Sequence, residues 1–120
     1  MSKQDFANKY PRVFSNPSEC RFECPEGWFK LLDKLCSELN EYLEFNPEIE
    51  FNTVLIKSKF AGMRYHYFPW NEDAQKIIDK YENLSMETCE ECGEPGKIVT
   101  INYWNCCVCN NCKERMLNDR

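Results

Sequence analysis

The sequence predicts an α+β protein: a helix–β-hairpin–helix core followed by a cysteine-rich C-terminal module. Three observations predict it. Two stretches place apolar residues at helical spacing, a β-branched, partly alternating stretch lies between them, and two Cys-x2-Cys motifs stand near the end. A chain of 120 residues suits one domain with at most a small appendage, and 42% hydrophobic with 14% aromatic residues is enough for a packed core.

Residues 1–24 are rich in aromatic and turn formers, among them Phe6, Tyr10, Pro11, Phe14, Asn16 and Pro17, and read as an irregular N-terminal arm with at most a short helical turn. Residues 25–85 read as the α-β-β-α core. Its first helix carries Trp28, Leu31, Leu32, Leu35, Leu39, Tyr42 and Leu43 on one face. Pro25 suits its first turn, where a missing N–H costs nothing, and Asn46-Pro47 stops it. Val54, Ile56, Ser58 and Phe60 then alternate, Ala61-Gly62 reads as a turn, and Met63, Tyr65 and Tyr67 alternate with Arg64, His66 and Phe68, giving two antiparallel strands. After Pro69-Trp70-Asn71, a second helix has Ala74, Ile77, Ile78, Tyr81 and Leu84 on a stripe and acidic residues in its first turn. A lone hairpin is marginal in water, so both helices are expected to cover one face of it.

Residues 86–120 hold six of the nine cysteines and end in a polar tail, KERMLNDR. Disulfides persist in oxidising compartments, an odd count would leave one thiol unpaired, and residues 1–5 lead into no apolar signal segment. Metal is the better expectation. Cys89-x2-Cys92 and Cys109-x2-Cys112 are separated by 16 residues, a spacing that brings four thiolates to one tetrahedral ion. Gly93 and the following Glu94-Pro95-Gly96 supply the sharp turn after the first pair, and Lys97–Ile101 and Tyr103–Cys106 read as short strands joined near Asn102. The module therefore reads as a zinc ribbon packed on the core, with one structural Zn2+ held by Cys89, Cys92, Cys109 and Cys112. Cys106-x2-Cys109 is a competing pair, with Cys106 in place of Cys112. Cys36 lies on the apolar stripe of the first helix and reads as core. Cys20 and Cys24 with His66 make a weaker candidate for a second metal site, lacking a fourth ligand.

Four thiolates leave no open coordination position, so such a zinc holds structure and activates no water. The chain contains no glycine-rich phosphate loop, no G-x-S-x-G and no H-E-x-x-H, and the single histidine, His66, has no identifiable cysteine partner for nucleophilic catalysis. A non-enzymatic protein is expected. Arg64, Tyr65, His66, Tyr67 and Trp70 form a candidate interface, Tyr, Trp and Arg being the types enriched at protein contacts. The net charge of −5, deepened by four thiolates around one divalent ion, disfavours direct nucleic-acid binding and suits a host or defence protein with a basic surface. No apolar run approaches a membrane span, so a cytoplasmic location is expected.

The segments ECPEGWFKLLDKLCSEL and IKSKFAGMRYHY, together with TCEECGEPGKI followed by Trp104, Cys109 and Cys112 in W-x4-C-x2-C, resemble small uncharacterised zinc-ribbon-containing proteins of tailed bacteriophages and prophages. The likeness spans roughly residues 20–115. It departs from the family pattern where Pro25-Glu26 precede Gly27-Trp28 and where Ala61 replaces a turn glycine. The resemblance implies Cys109 and Cys112 rather than Cys106 as ligands, and a phage accessory protein in the host cytoplasm that modulates or inhibits a host or defence protein. A zinc-ribbon accessory factor for transcription, replication or nuclease machinery is the alternative.

Overall fold

A computed structural model describes residues 2–118. The class is α+β: four helices, α1 (Lys3–Lys9), α2 (Phe29–Phe45), α3 (Glu72–Ser85) and α4 (Asn110–Asn118), with strands β1 (Arg21–Glu23), β2 (Asn52–Lys59), β3 (Gly62–Phe68), β4 (Lys97–Ile101) and β5 (Trp104–Val108). These strands form a three-stranded sheet in the order β1-β2-β3 and a separate β4-β5 hairpin.

The first 24 residues differ from the irregular arm expected of them. Ser2 caps α1 with a reciprocal capping box to Asp5. Phe6, Val13 and Phe14 are fully buried, and β1 pairs parallel to β2, with Phe22 opposite Ile56. Aromatic residues dense enough to look irregular in sequence are here spent on the core, where each buries a large apolar area. The sheet therefore has three strands, not two.

Helix α2 follows a 3₁₀ turn, Glu26–Trp28, and buries Leu32, Leu35, Cys36, Leu39 and Leu43, each leucine worth about 2 kcal/mol of transfer free energy. Helix α3 buries Ala74, Ile78, Tyr81 and Ser85, while Leu84, expected on the stripe, is exposed. The exchange has a reason. The Ser85 hydroxyl accepts the Met63 N–H at 2.8 Å, and the Glu82 carboxylate accepts the Tyr65 N–H at 2.9 Å, so α3 satisfies the free edge of β3 with polar side chains.

In β2 the pairing with β3 slips between Thr53 and Leu55, leaving Val54 as an extra residue. The inward face therefore runs Thr53, Ile56, Ser58, and Val54 does not share the face of Ile56 as strict alternation would have it. The β2–β3 turn falls on Phe60 (φ 53°) and Ala61 (φ 65°), one residue before the expected Ala61-Gly62, and the β4–β5 turn falls on Asn102 (φ 54°) and Tyr103 (φ 65°). Paired positive φ values match the right-handed twist of a two-residue hairpin, though both turns place side-chain-bearing residues where glycine is favoured. Residues 113–118 of the tail expected after the last cysteine are instead part of α4, and its last two residues lie outside the described residues.

Candidate metal centre

Residues 89–93 form the first knuckle. The Gly93 N–H donates to the Cys89 carbonyl at 3.0 Å, and Gly93 takes φ 84°, so the chain doubles back past the two sulfurs. The second pair lies where β5 runs into α4: Cys109 follows the strand, and Cys112 sits in the first turn of the helix, its N–H donating to the Cys109 sulfur at 3.4 Å. The sulfurs of Cys89, Cys92, Cys109 and Cys112 all lie within 4.8 Å of one another. The Cys92 and Cys109 sulfurs stand 3.7 Å apart. Four thiolates at tetrahedral corners about 2.3 Å from a zinc ion would be separated by roughly 3.8 Å, so the donor set fits such an ion.

Electrostatics point the same way. Burial opposes ionisation of Cys89, but backbone N–H groups of Cys109, Cys92 and Glu91 outweigh it and bring the thiol down to about 7. The Glu94 N–H favours the Cys92 thiolate, yet desolvation and the crowded sulfurs of Cys89, Cys109 and Cys112 push Cys92 up to about 12. Four thiols this close ionise together only around a cation. Arg115 adds a guanidinium N–H to the Cys112 sulfur at 3.1 Å, a partner for the excess charge of a four-thiolate site.

Cys106 lies on β5 outside this group. Cys107 is fully buried, and its thiol donates to the Met86 carbonyl at 3.1 Å. Among the described residues no other set of three or more His, Cys, Asp or Glu ligand atoms converges on one point. Cys20 and Cys24 flank β1 on the core side, whereas His66 points to solvent from β3, so the second metal site is not assembled. Burial pushes Cys24 up to about 12, which leaves it a poor nucleophile and ligand.

The metal knuckle is fastened to the core by contacts that sequence spacing does not reveal. Gly27 donates its N–H to the Glu90 carbonyl at 2.9 Å, and a Cβ on Gly27 would lie 2.3 Å from the Cys89 carbonyl oxygen. The Trp28 indole donates to the Thr88 carbonyl at 2.9 Å. Glu90 spans the remaining gap: its carboxylate accepts the Ser58 hydroxyl at 2.8 Å and the Cys107 N–H at 2.7 Å. A glutamate between two ligand cysteines thus ties β2 to β5, and the only signal for it in the sequence is its place inside the knuckle.

The candidate interface residues divide. Arg64 and His66 are exposed on the outer face of β3 and Trp70 is 70% exposed, but Tyr65 is 3% exposed and belongs to the core. Its hydroxyl meets Thr53 Oγ1 at 2.6 Å, and burial raises its pKa, keeping it neutral. Tyr67 is half-buried, stacked on Phe51 with ring centroids 4.9 Å apart. Sequence reasoning did not single out the exposed rings at the two hairpin turns, those of Phe60 (71%), Tyr103 (102%) and Trp104 (76%); Phe45 and Phe68 are as exposed elsewhere. Among the described residues no helix is long and apolar enough to cross a membrane. Comparison of the chain with protein-family models, with curated proteins and with solved structures gives no match.

Proposed function

We propose that this protein is a non-enzymatic, zinc-stabilised protein-binding module, a phage accessory protein that modulates or inhibits a host or defence protein in the host cytoplasm. One observation carries the binding reading: large aromatic rings stand exposed at the turns of two hairpins that Glu90, inside the four-cysteine knuckle, ties together through Ser58 and Cys107. Apolar area left in water costs free energy that a partner recovers on docking. The closed donor set supports a structural zinc over a catalytic one. Nine unbridged cysteines suit a reducing compartment, and the phage assignment rests on the sequence resemblance alone.

The nucleic-acid reading draws on one feature, the cations Lys57, Lys59 and Arg64 with His66 beside them on the outer face of the sheet. Affinity capture from host cells with the zinc-loaded protein separates the two. A defined protein partner, retained after nuclease treatment and lost when the metal is stripped, is the expected result. Recovery of nucleic acid alone, or of no partner, would overturn the proposal.

A further inference from the structure

The two hairpin tips lie side by side and enclose a groove of ≈ 450 Å³. Its walls come from both modules: Lys57, Lys59 and Phe60 from the core hairpin, and Tyr103, Trp104 and Asn105 from the cysteine-rich hairpin. The Lys59 ammonium sits over the Phe60 ring, 5.5 Å from its centroid, which places positive charge on the aromatic wall. Lys57 and Lys59 line the groove with the three rings, and the register of the sheet sets Arg64 directly across from Lys57 on the same outer face, next to that lining. Three anions lie near these cations, and each has a partner: Glu82, beside Arg64, accepts the Tyr65 N–H at 2.9 Å. Glu23, opposite Lys57, pairs with Arg21 at 3.0 Å, and Glu90 is held by Ser58 and Cys107. The turns present Phe60 and Tyr103 from positive φ, a backbone cost of roughly 1 kcal/mol each that neither side chain repays by burial.

We infer that this groove is the docking site for an acidic segment of a partner protein, one carrying two or three carboxylates beside an aromatic or aliphatic anchor. The anchor enters between Phe60 and Trp104, and the carboxylates meet Lys57, Lys59 and Arg64. The proposal rests on the reading of the protein as a binding module and names the surface and the partner chemistry. Local charge here is opposite in sign to the net −5 of the chain, which excludes a basic partner at this point of the surface. The same net charge decides between two anionic occupants. A single-stranded nucleic acid brings a phosphate with every nucleotide, and beyond the three cations its backbone meets a repelling field. A short acidic segment brings only the charges that the three cations match.

The test is selection of a displayed random-peptide library against the zinc-loaded protein, with counter-selection against a Phe60→Ser/Trp104→Ser variant. Both replaced rings are exposed, and retained zinc and an unchanged circular dichroism spectrum report that the variant is folded. Enriched peptides are expected to combine Asp or Glu with a bulky apolar residue. Their binding should shift the Trp104 indole N–H resonance and fall about tenfold in a Lys57→Gln/Lys59→Gln variant. Enrichment of basic or uncharged sequences, absence of any peptide that depends on the two rings, or displacement of the selected peptides by oligothymidylate at lower concentration would each overturn it. A protein partner from affinity capture that binds the ring variant undiminished would overturn this site while leaving the binding-module reading standing.

Discussion

Thr53 has one hydroxyl proton and donates it to the Val13 carbonyl at 2.9 Å, so the Tyr65 hydroxyl, 2.6 Å away, must be the donor in their shared hydrogen bond. Both groups are buried, and the pair locks the N-terminal segment to the β2–β3 sheet. Thr53→Val keeps the shape but removes the acceptor. It is expected to cost about 1–3 kcal/mol in urea denaturation, the penalty of a buried donor left unpaired. Glu82 carries a pH dependence. Burial raises its pKa above 4.5, so the folded state holds this proton more tightly than the unfolded chain does. The associated stability is fully present below 4.5 and is lost as pH rises through the raised value. Glu82→Gln keeps an acceptor for the Tyr65 N–H without the charge, so its melting temperature should gain on the wild type as pH rises from acid to neutral. Neither role is legible in sequence. Thr53 and Glu82 are ordinary polar residues until the Val54 bulge and the packing of α3 along β3 set their surroundings.

Helix α2 and its apolar stripe were legible from spacing alone, because a helix that buries one face writes a period of 3.6 into the chain. The hairpin strands were legible and the β4–β5 turn fell near Asn102 as expected, but the β2–β3 turn lies one residue earlier, at Phe60-Ala61, since nothing in those side chains announces a positive φ. The junction between elements was not legible at all. Nothing in the sequence marks Gly27 for it, yet its lack of a Cβ is what admits the Cys89–Glu90 backbone, whose nearest atoms lie 2.3–2.4 Å from where a Cβ would stand. Those atoms are backbone and cannot swing aside. Gly27→Ala is therefore expected to destabilise by about 3 kcal/mol and to loosen the knuckle from the core, read as a lower thermal midpoint together with increased hydrogen exchange at Glu90 and Gly93.

At the scale of the molecule, the cysteine-rich module extends the shape to 51 × 25 × 21 Å and has only a small cluster of its own, around Ile101 and Val108. Such a cluster cannot hold a fold unaided, and a metal at the four sulfurs would supply on the order of 10 kcal/mol. Cys112→Ser should abolish stoichiometric zinc and lower the midpoint of unfolding, whereas Cys106→Ser should retain one zinc per chain. Metal analysis with calorimetry checks both, and loss of zinc from Cys106→Ser instead would reassign the fourth ligand.

By itself the sequence determined α2, α3, the strands of the two hairpins and the pairing of two Cys-x2-Cys motifs, because helical period, strand alternation and ligand spacing are local signals; it did not show α1, β1 or α4. Only the tertiary structure decided that the first 24 residues join the core, that Tyr65 turns inward, that Glu90 bridges two strands, and that Phe60 and Trp104 come to line one groove. Each of those depends on residues brought together from distant parts of the chain, with chain closure set by burial of apolar surface and satisfaction of buried polar groups, and one-dimensional spacing does not encode such a meeting.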